Sequence, residues 1–300
     1  MPLLREVAET LTNNDLVAGI VEEIIERDDM FAILPFVHTE GKAYVYNREK
    51  TLAEGVFLDP NEAIPESGSD FDEVTAKLKI LAGDVDVDKF LMETMSDVNS
   101  QLGLQLAAKA KGMARQFHRT LAMGDSSKNR KEFDGLASLT PAAQTLVAGK
   151  DGAALTLSML DELCDAIPNG ADVLVMSRGA IRAYRTLLRA TYGTDAVMQQ
   201  LENFGRPMLT HNGIPILMNE FLPKNEVQGA SSATGSIYAV RLNEVDGLHG
   251  IYGGSNAGFS VEDIGTVQNK DAQRFRMKWY VGTALKSTKS LARLKGVTTV

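Results

Sequence analysis

Cysteine is almost absent from this 300-residue chain. Cys164 stands alone, so no internal disulfide can form and the fold does not depend on an oxidising compartment. Missing too is any run of 18 apolar residues, and the opening MPLLREVAETLTNNDLV carries acids where a secretory signal needs an apolar segment. These two absences leave a reduced, cytosolic setting as the default. Catalytic signatures are equally scarce: there is no G-x-x-x-x-G-K-[ST] phosphate loop, no G-x-G-x-x-G and no H-E-x-x-H. GGSNAG is not a nucleophile elbow, because Gly254 directly precedes Ser255 and no strand–helix pattern flanks it. The histidines His38, His118, His211 and His249 are scattered, with no carboxylate at ligand spacing, which argues against a metal centre. Cys164 lies beside Leu163 on the apolar side of a short helix, far in sequence from any histidine, and reads as a buried structural thiol.

What is present is ordinary in amount and uneven in distribution. The chain is 44% hydrophobic and 23% charged, enough for one large domain or two modest ones. The net charge of −8 conceals an asymmetry: residues 1–90 hold 20 acids and 8 bases, whereas residues 270–300 hold 1 acid and 8 bases. Ends of opposite sign point either to contact between them, within or between copies, or to two separately solvated faces.

Residues 15–27, DLVAGIVEEIIER, have the spacing of an amphipathic helix, with Asp15 as N-cap. In LPFVHTEGKAYVYNRE, Tyr44 and Tyr46 alternate around Val45, which predicts a strand after a TEGK turn. Residues 51–76 carry seven acids and no bases, yet keep Val56, Phe57, Leu58, Ile64, Phe71 and Val74. We read them as a long extended hairpin reaching away from the body and ordered by a partner. Apolar residues from Leu91 to Met123 fall in steps of three or four, with one of seven through the small Ala110, predicting one long helix in which Gly103 and Gly112 mark a bend or a close crossing. Further on, the pattern predicts a helix at 156–166, a strand at 171–177 and a helix from Arg178 that Ser177 caps and Gly193 ends. Strands follow in NGIPILMNEFLP and GSIYAVRL, separated by a Gly/Ser-rich loop at 228–236, and the glycines of GLHGIYGGSNAG read as loop punctuation.

Two charge patterns stand out. Arg178, Arg182, Arg185 and Arg189 share one helix face, fit to bind phosphate, an acidic partner or a neighbouring subunit, or simply to be solvated. Asp84, Asp86 and Asp88 have the D-x-D-x-D spacing of a calcium loop, but Lys89 stands where that loop needs glycine and Met95 where it needs a bidentate glutamate. Val85 and Val87 alternate with the aspartates, so the stretch predicts a strand with valines inward and three repelling carboxylates outward. In RFRMKWYVG, Arg274, Arg276 and Lys278 line the opposite kind of face and are the best counter-charges in the chain.

The order of these parts resembles the tailed-phage major capsid proteins of the Hong Kong 97-like fold, an α+β fold shared with encapsulin shells. The resemblance rests on LPFVHTEGKAYVYNRE, LKILAGDVDVDKF, KAKGMARQFHRTLAMGD, EFDGL and FRMKWYVGTAL, in that order across nearly the whole chain. It implies an N-terminal arm (1–34), a P domain (35–134 and 265–300) with an extended loop (42–80) and spine helix (89–124), and an A domain (135–264). It implies no cofactor, no metal and no enzymatic activity. The expected partners are other copies in pentamers and hexamers, separate scaffolding and portal proteins, decoration proteins in some relatives, and enclosed double-stranded DNA, with no membrane. The expected location is the virion, assembled in the host cytoplasm. Assembly residues would be Glu54, Glu62, Glu66, Asp70, Asp72 and Glu73 in the loop, the Asp84–Asp88 and Arg274–Lys278 strands, and the four arginines as an A-domain subunit face. Some relatives form a lysine–asparagine cross-link; Lys50 is the only lysine near the loop tip and has no evident partner, so none is expected. Two alternatives remain: an encapsulin-like compartment shell, and an α/β enzyme with a carboxylate site near Asp84–Asp88.

Overall fold

The computed structural model describes residues 30, 33–51, 53, 55–60, 62, 63, 66, 68–89, 98–192, 198–200, 207–254 and 258–298. The expected helix at 15–27, residues 90–97 of the expected spine helix, Glu54 and Gly193 lie outside the described residues. Strands β1 (Phe36–His38), β2 (Ala43–Thr51), β3 (Asp70–Lys77) and β4 (Lys79–Asp88) precede helix α1 (Val98–Met123). After it come α2 (Leu136–Leu139), β5 (Thr145–Val147), β6 (Ala153–Ala154), α3 (Leu157–Asp165), β7 (Val173–Met176) and α4 (Arg178–Tyr192). The remainder is β8 (Met198–Gln200), β9 (Pro207–His211), β10 (Ile214–Met218), β11 (Glu226–Gln228), β12 (Ser231–Val240), β13 (Leu248–Gly253), β14 (Ser260–Thr266), β15 (Ala272–Leu285) and β16 (Leu291–Thr298).

The described residues form three sheets. β15 is the axis of a five-stranded sheet: β4 runs along one edge, while β14 and β13 share the other, with β1 beyond β13. A nine-stranded sheet runs β5-β16-β12-β7-β10-β9-β8, with β11 on β12 and β6 on β16. β2 and β3 form a separate two-stranded ribbon. The unbroken apolar run of β7 follows from its place between β10 and β12, where all four residues are buried.

Period-two alternation in the nine-stranded sheet feeds two cores. Leu174, Met176, Ile237, Ala239 and Leu294 face Leu160 and Leu163 of α3 and Tyr184 and Leu188 of α4. Val173, Val175, Tyr238 and Val240 face the other way, into a core shared with Leu106, Met113, Phe117 and Leu121 of α1 and Met277 and Trp279 of β15. Trp279 is the centre of an aromatic group, with ring centroids 5.8 Å from Phe36, 5.1 Å from Phe117 and 5.0 Å from Phe259.

Several expectations need correction. The strands divide differently from the domain limits: 248–266 belongs to the five-stranded sheet, and β16 returns to the nine-stranded sheet, because it pairs with β12 from Val240 to Thr234. GLHGIYGG is not punctuation; it holds β13. Gly250 stands there because the Phe36 ring covers it, and a Cβ would lie 2.3 Å from Phe36 Cε1. The Gly/Ser-rich 228–236 segment is mostly strand, turning only near Gly229–Ala230. Its polar residues Thr234 and Ser236 are buried and bonded: Thr234 Oγ1 donates to the Glu226 carbonyl at 2.8 Å, and Arg293 Nε donates to Ser236 Oγ at 2.9 Å. Asn212–Gly213 is a hairpin turn between β9 and β10 rather than the start of a strand. Among the described residues Gly103 and Gly112 make no close crossing, since a Cβ on either would have nothing within 4 Å.

Candidate assembly site

The charged face of the five-stranded sheet is built by register. β4 and β15 pair antiparallel with Asp84 opposite Arg276, Asp86 opposite Arg274, Asp88 opposite Ala272 and Ala82 opposite Lys278. Both arginines grip their aspartates through two nitrogens, at 2.7 and 2.8 Å for Arg274–Asp86 and 2.7 and 2.9 Å for Arg276–Asp84. Lys278 does not join the aspartates: its ammonium pairs with Glu262 of β14. Sliding the register by two residues would keep every side chain on its face and join all three pairs. The apolar side decides otherwise, with Val85 opposite Phe275 and Leu81 opposite Trp279. The side chain of Asp88 lies outside the described residues.

The guanidiniums hold both carboxyls below the ordinary aspartate value of 3.8, chiefly through their hydrogen bonds. A carboxylate with a lowered folded-state value stabilises the fold above the unfolded value, and that contribution is lost as pH falls through the lowered one. The double variant Asp84→Asn, Asp86→Asn should therefore show a flatter stability–pH curve below about pH 4 than wild type in denaturant titrations. Identical slopes would remove these pairs from the acid response.

The β2–β3 ribbon is fixed to the body at its base. Tyr44, Tyr46 and Arg48 alternate inward, while Val45, Asn47 and Glu49 face solvent. Tyr46 donates its hydroxyl to the Leu285 carbonyl at 2.6 Å; Arg48 donates to the Leu285 and Lys286 carbonyls at 2.6 and 2.8 Å. Burial pushes the Tyr46 hydroxyl up from its usual value. The Tyr44 ring meets His249 edge-on at 5.6 Å, and the Lys286 ammonium lies over the same ring, 5.7 Å from its centroid. Far from this anchor, Val56, Phe57 and Leu58 are exposed, Phe57 entirely so at 103%. Glu62, Glu66, Asp70, Asp72 and Glu73 are exposed along the same loop.

Arg178, Arg182, Arg185 and Arg189 are all exposed on α4, and Arg178 donates to Glu220 at 2.6 Å. Ser177 Oγ accepts from the Ala180 amide at 3.2 Å, the cap that starts this helix. The sequence reading passed over the ribbon anchors, which the Tyr-x-Tyr-x-Arg alternation signals. It also passed over a second basic row on α1, Lys111, Arg115 and Arg119, signalled by steps of four.

The catalytic alternatives find little support in the geometry. Among the described residues no group of three or more His, Cys, Asp or Glu is placed to hold a metal. His211 is buried between Asp161 (3.0 Å) and the Tyr184 hydroxyl (3.2 Å), a link that ties α3, α4 and β9 together. Cys164 is half-buried, and burial followed by the charges of Asp161 and Asp165 pushes its thiol to about 11, which leaves it unreactive at neutral pH. Among the described residues no helix is long and apolar enough to cross a membrane.

No protein-family model and no curated protein matches the sequence. Solved structures do match in shape. The SrpI encapsulin of Synechococcus elongatus PCC 7942 superposes with a TM-score of 0.71 at 20% identity, covering 89% of this chain and 86% of that one. The capsid of the native GTA particle gives 0.64 at 17% identity, covering 89% of each chain. The capsid of cyanophage A-1(L) gives 0.64 at 14% identity, covering 90% of this chain and 92% of that one. All three are shell proteins, and each match covers 89–90% of this chain. The chain has their fold, the α+β Hong Kong 97-like capsid fold.

Proposed function

We propose that this chain is the major capsid protein of a tailed phage, a non-enzymatic subunit that assembles as pentamers and hexamers into an icosahedral or prolate head around double-stranded DNA. The observation that carries the reading is the ribbon. Among the described residues it is a two-stranded sheet joined to neither main sheet, anchored at its base, and its apolar tip at Val56–Leu58 is exposed. A detached ribbon with an exposed phenylalanine is costly for a solitary protein and useful to one whose neighbour covers it. In this reading the five-stranded sheet with α1 is the P domain and the nine-stranded sheet the A domain. The exposed loop acids Glu62, Glu66, Asp70, Asp72 and Glu73 meet a basic surface of the adjacent copy. Arg274 and Arg276 are occupied by Asp86 and Asp84 within the chain and so stiffen the P domain rather than receive the loop. Scaffolding, portal and decoration proteins would be separate partners, and the assembled head would be part of the virion.

Burying one phenylalanine contributes about 1.5–3 kcal/mol, and a closed shell repeats that contact in every subunit. Phe57→Ser should therefore raise the concentration needed for assembly by roughly tenfold or more while leaving subunit stability unchanged. Negative-stain microscopy and sedimentation would read this out, and wild-type shell yields from the variant would sink the tip's role. Uniform small particles from wild-type protein would sink the shell reading itself. The TM-score of 0.71 to an encapsulin favours a second reading, a bacterial compartment shell. Protein rather than DNA inside purified shells would select it.

A further inference from the structure

His249 is fully buried on β13, at the place where the ribbon leaves the body. The Tyr44 ring of β2 meets its imidazole at 5.6 Å and 89°, and the Lys286 ammonium lies over that same tyrosine. The residues just before His249 hold the ribbon's anchors in place. Leu248 stands opposite Leu285, and the Lys286 amide donates to the Gly247 carbonyl at 3.3 Å. The carbonyls of Leu285 and Lys286 in turn accept from Tyr46 and Arg48. The imidazole, the turn at 285–286 and the ribbon root are therefore one packed unit.

Hydrogen bonding fixes which form of the ring this unit accepts. Nδ1 lies 3.4 Å from the Gly247 carbonyl, which can only accept, so Nδ1 carries the proton of the neutral ring. Nε2 is then a bare lone pair, buried and without a hydrogen-bond partner among the described residues. A second proton there would create both a buried donor with no acceptor and a buried charge, and each is costly. The titratable and charged groups that face the ring are Tyr44 from the ribbon, Lys286 from the turn after β15 and Glu244 from the loop before β13. β15 itself places only Ala284 opposite. Burial is the largest influence and pushes the imidazole below its ordinary value of 6.5. Lys286 acts in the same direction, while the Gly247 and Asn243 carbonyls and Glu244 oppose it and are outweighed.

We propose that His249 is a latch for the ribbon: the uncharged ring holds the root closed against β13, and a proton reaches Nε2 only when the root has lifted, so acidification releases the ribbon. Lifting exposes the ring to water and returns it to its ordinary value of 6.5, above the value it has in the closed root. The stability of the closed root is therefore fully present above about pH 6.5 and falls as the pH drops toward the lowered value. One proton is involved, so the opening equilibrium changes by at most about tenfold per pH unit. The proposal concerns the single subunit and stands apart from the capsid reading, which fails on a different observation, the absence of closed shells in the microscope. In a shell the same proton would loosen the ribbon's hold on the subunit that bears it.

Hydrogen–deuterium exchange of unassembled full-length subunits tests the latch on the amides of 43–48 and 285–286, with labelling times scaled for the pH dependence of chemical exchange. Between about pH 7.5 and 5.5 opening of these amides should rise up to roughly tenfold, while the amides of β7 and β12 keep their protection. His249→Gln should abolish the rise. His38→Gln, which changes the exposed histidine of β1 beside the ribbon root, should keep it. The Cε1 proton resonance of His249 in the wild-type protein supplies a readout that needs no variant, and it should move in step with the opening of the root. Flat wild-type opening over this range overturns the proposal, as does a His249→Gln rise equal to wild type or a rise that His38→Gln removes. So does a His249 resonance that titrates while the root stays closed, or loss of β7 and β12 protection together with the ribbon's.

Discussion

Trp279→Ala is expected to cost about 3–5 kcal/mol of folding free energy, a large share of what holds a domain of this kind together. Trp279 is 3% exposed on the inner side of β15 and packs at once against Phe36, Phe117 and Phe259. Phe36 comes from β1, Phe117 from α1 and Phe259 from the approach to β14, so one indole joins three segments distant in sequence. Truncation removes the buried ring and leaves a cavity that rings fixed by their own strands and helix cannot collapse to fill. Urea denaturation of unassembled subunits followed by circular dichroism measures the loss. Trp279→Phe, which keeps most of the contact area, should lose less than half as much. A midpoint shift for alanine below that of an average surface change would mean the aromatic group is not the keystone of this core.

Gly135→Ala should be nearly as damaging although it adds one methyl group. Gly135 lies in the EFDGL stretch, where the chain doubles back against the end of α1. Its amide donates to the Gly124 carbonyl at 2.9 Å, and a Cβ would sit 2.4 Å from the Thr120 carbonyl oxygen and 2.6 Å from that of Leu121. The obstructing atoms are backbone, so no side chain can swing aside, and the helix end must move. Overpacking of this kind costs about 1–3 kcal/mol, and backbone obstruction places it at the upper end. Gly112→Ala supplies the contrast: a Cβ there meets nothing within 4 Å, and the site is inside a helix, so stability should rise by about 0.4–1 kcal/mol. Chemical denaturation of the two variants side by side tests both signs. Equal effects would show that generic helix propensity, and not the close approach, governs these glycines.

Gly135 and Gly124 give the MGD and EFDGL stretches their character, since a Cβ on Gly124 would also meet backbone, at 2.3 Å from the Phe133 carbonyl oxygen. Both stretches sit where backbone meets backbone, a place that tolerates few residue types. Elsewhere legibility tracked periodicity. The alternation around Val85 and Val87 placed the valines inward, where both are buried. Steps of four, with one of seven through Ala110, placed Leu106, Met113, Phe117 and Leu121 on the buried side of α1. Periodicity failed where polar residues were internally satisfied. Ser236 and Thr234 are buried yet bonded to Glu226 and Arg293, so a strand rich in serine and glycine had the composition of a loop. It failed again at β13, whose small residues accommodate the Phe36 ring.

The sequence by itself determined the order of elements, the inward and outward faces of the strands and long helix, the acid-rich ribbon, the arginine face of α4, and the absence of a recognisable catalytic or metal motif. Those properties are set by local spacing, which needs no knowledge of distant partners. Only the tertiary structure decided the β4–β15 register, which gives Asp84 to Arg276 and Asp86 to Arg274 but sends Lys278 to Glu262. Only it returned β16 to the nine-stranded sheet, and only it set Arg178 of α4 against Glu220 and Arg115 of α1 over Phe221. Each of these depends on how two segments far apart in sequence slide and stack against each other. Side-chain volume in the shared core settles that, and no periodicity within either segment encodes it.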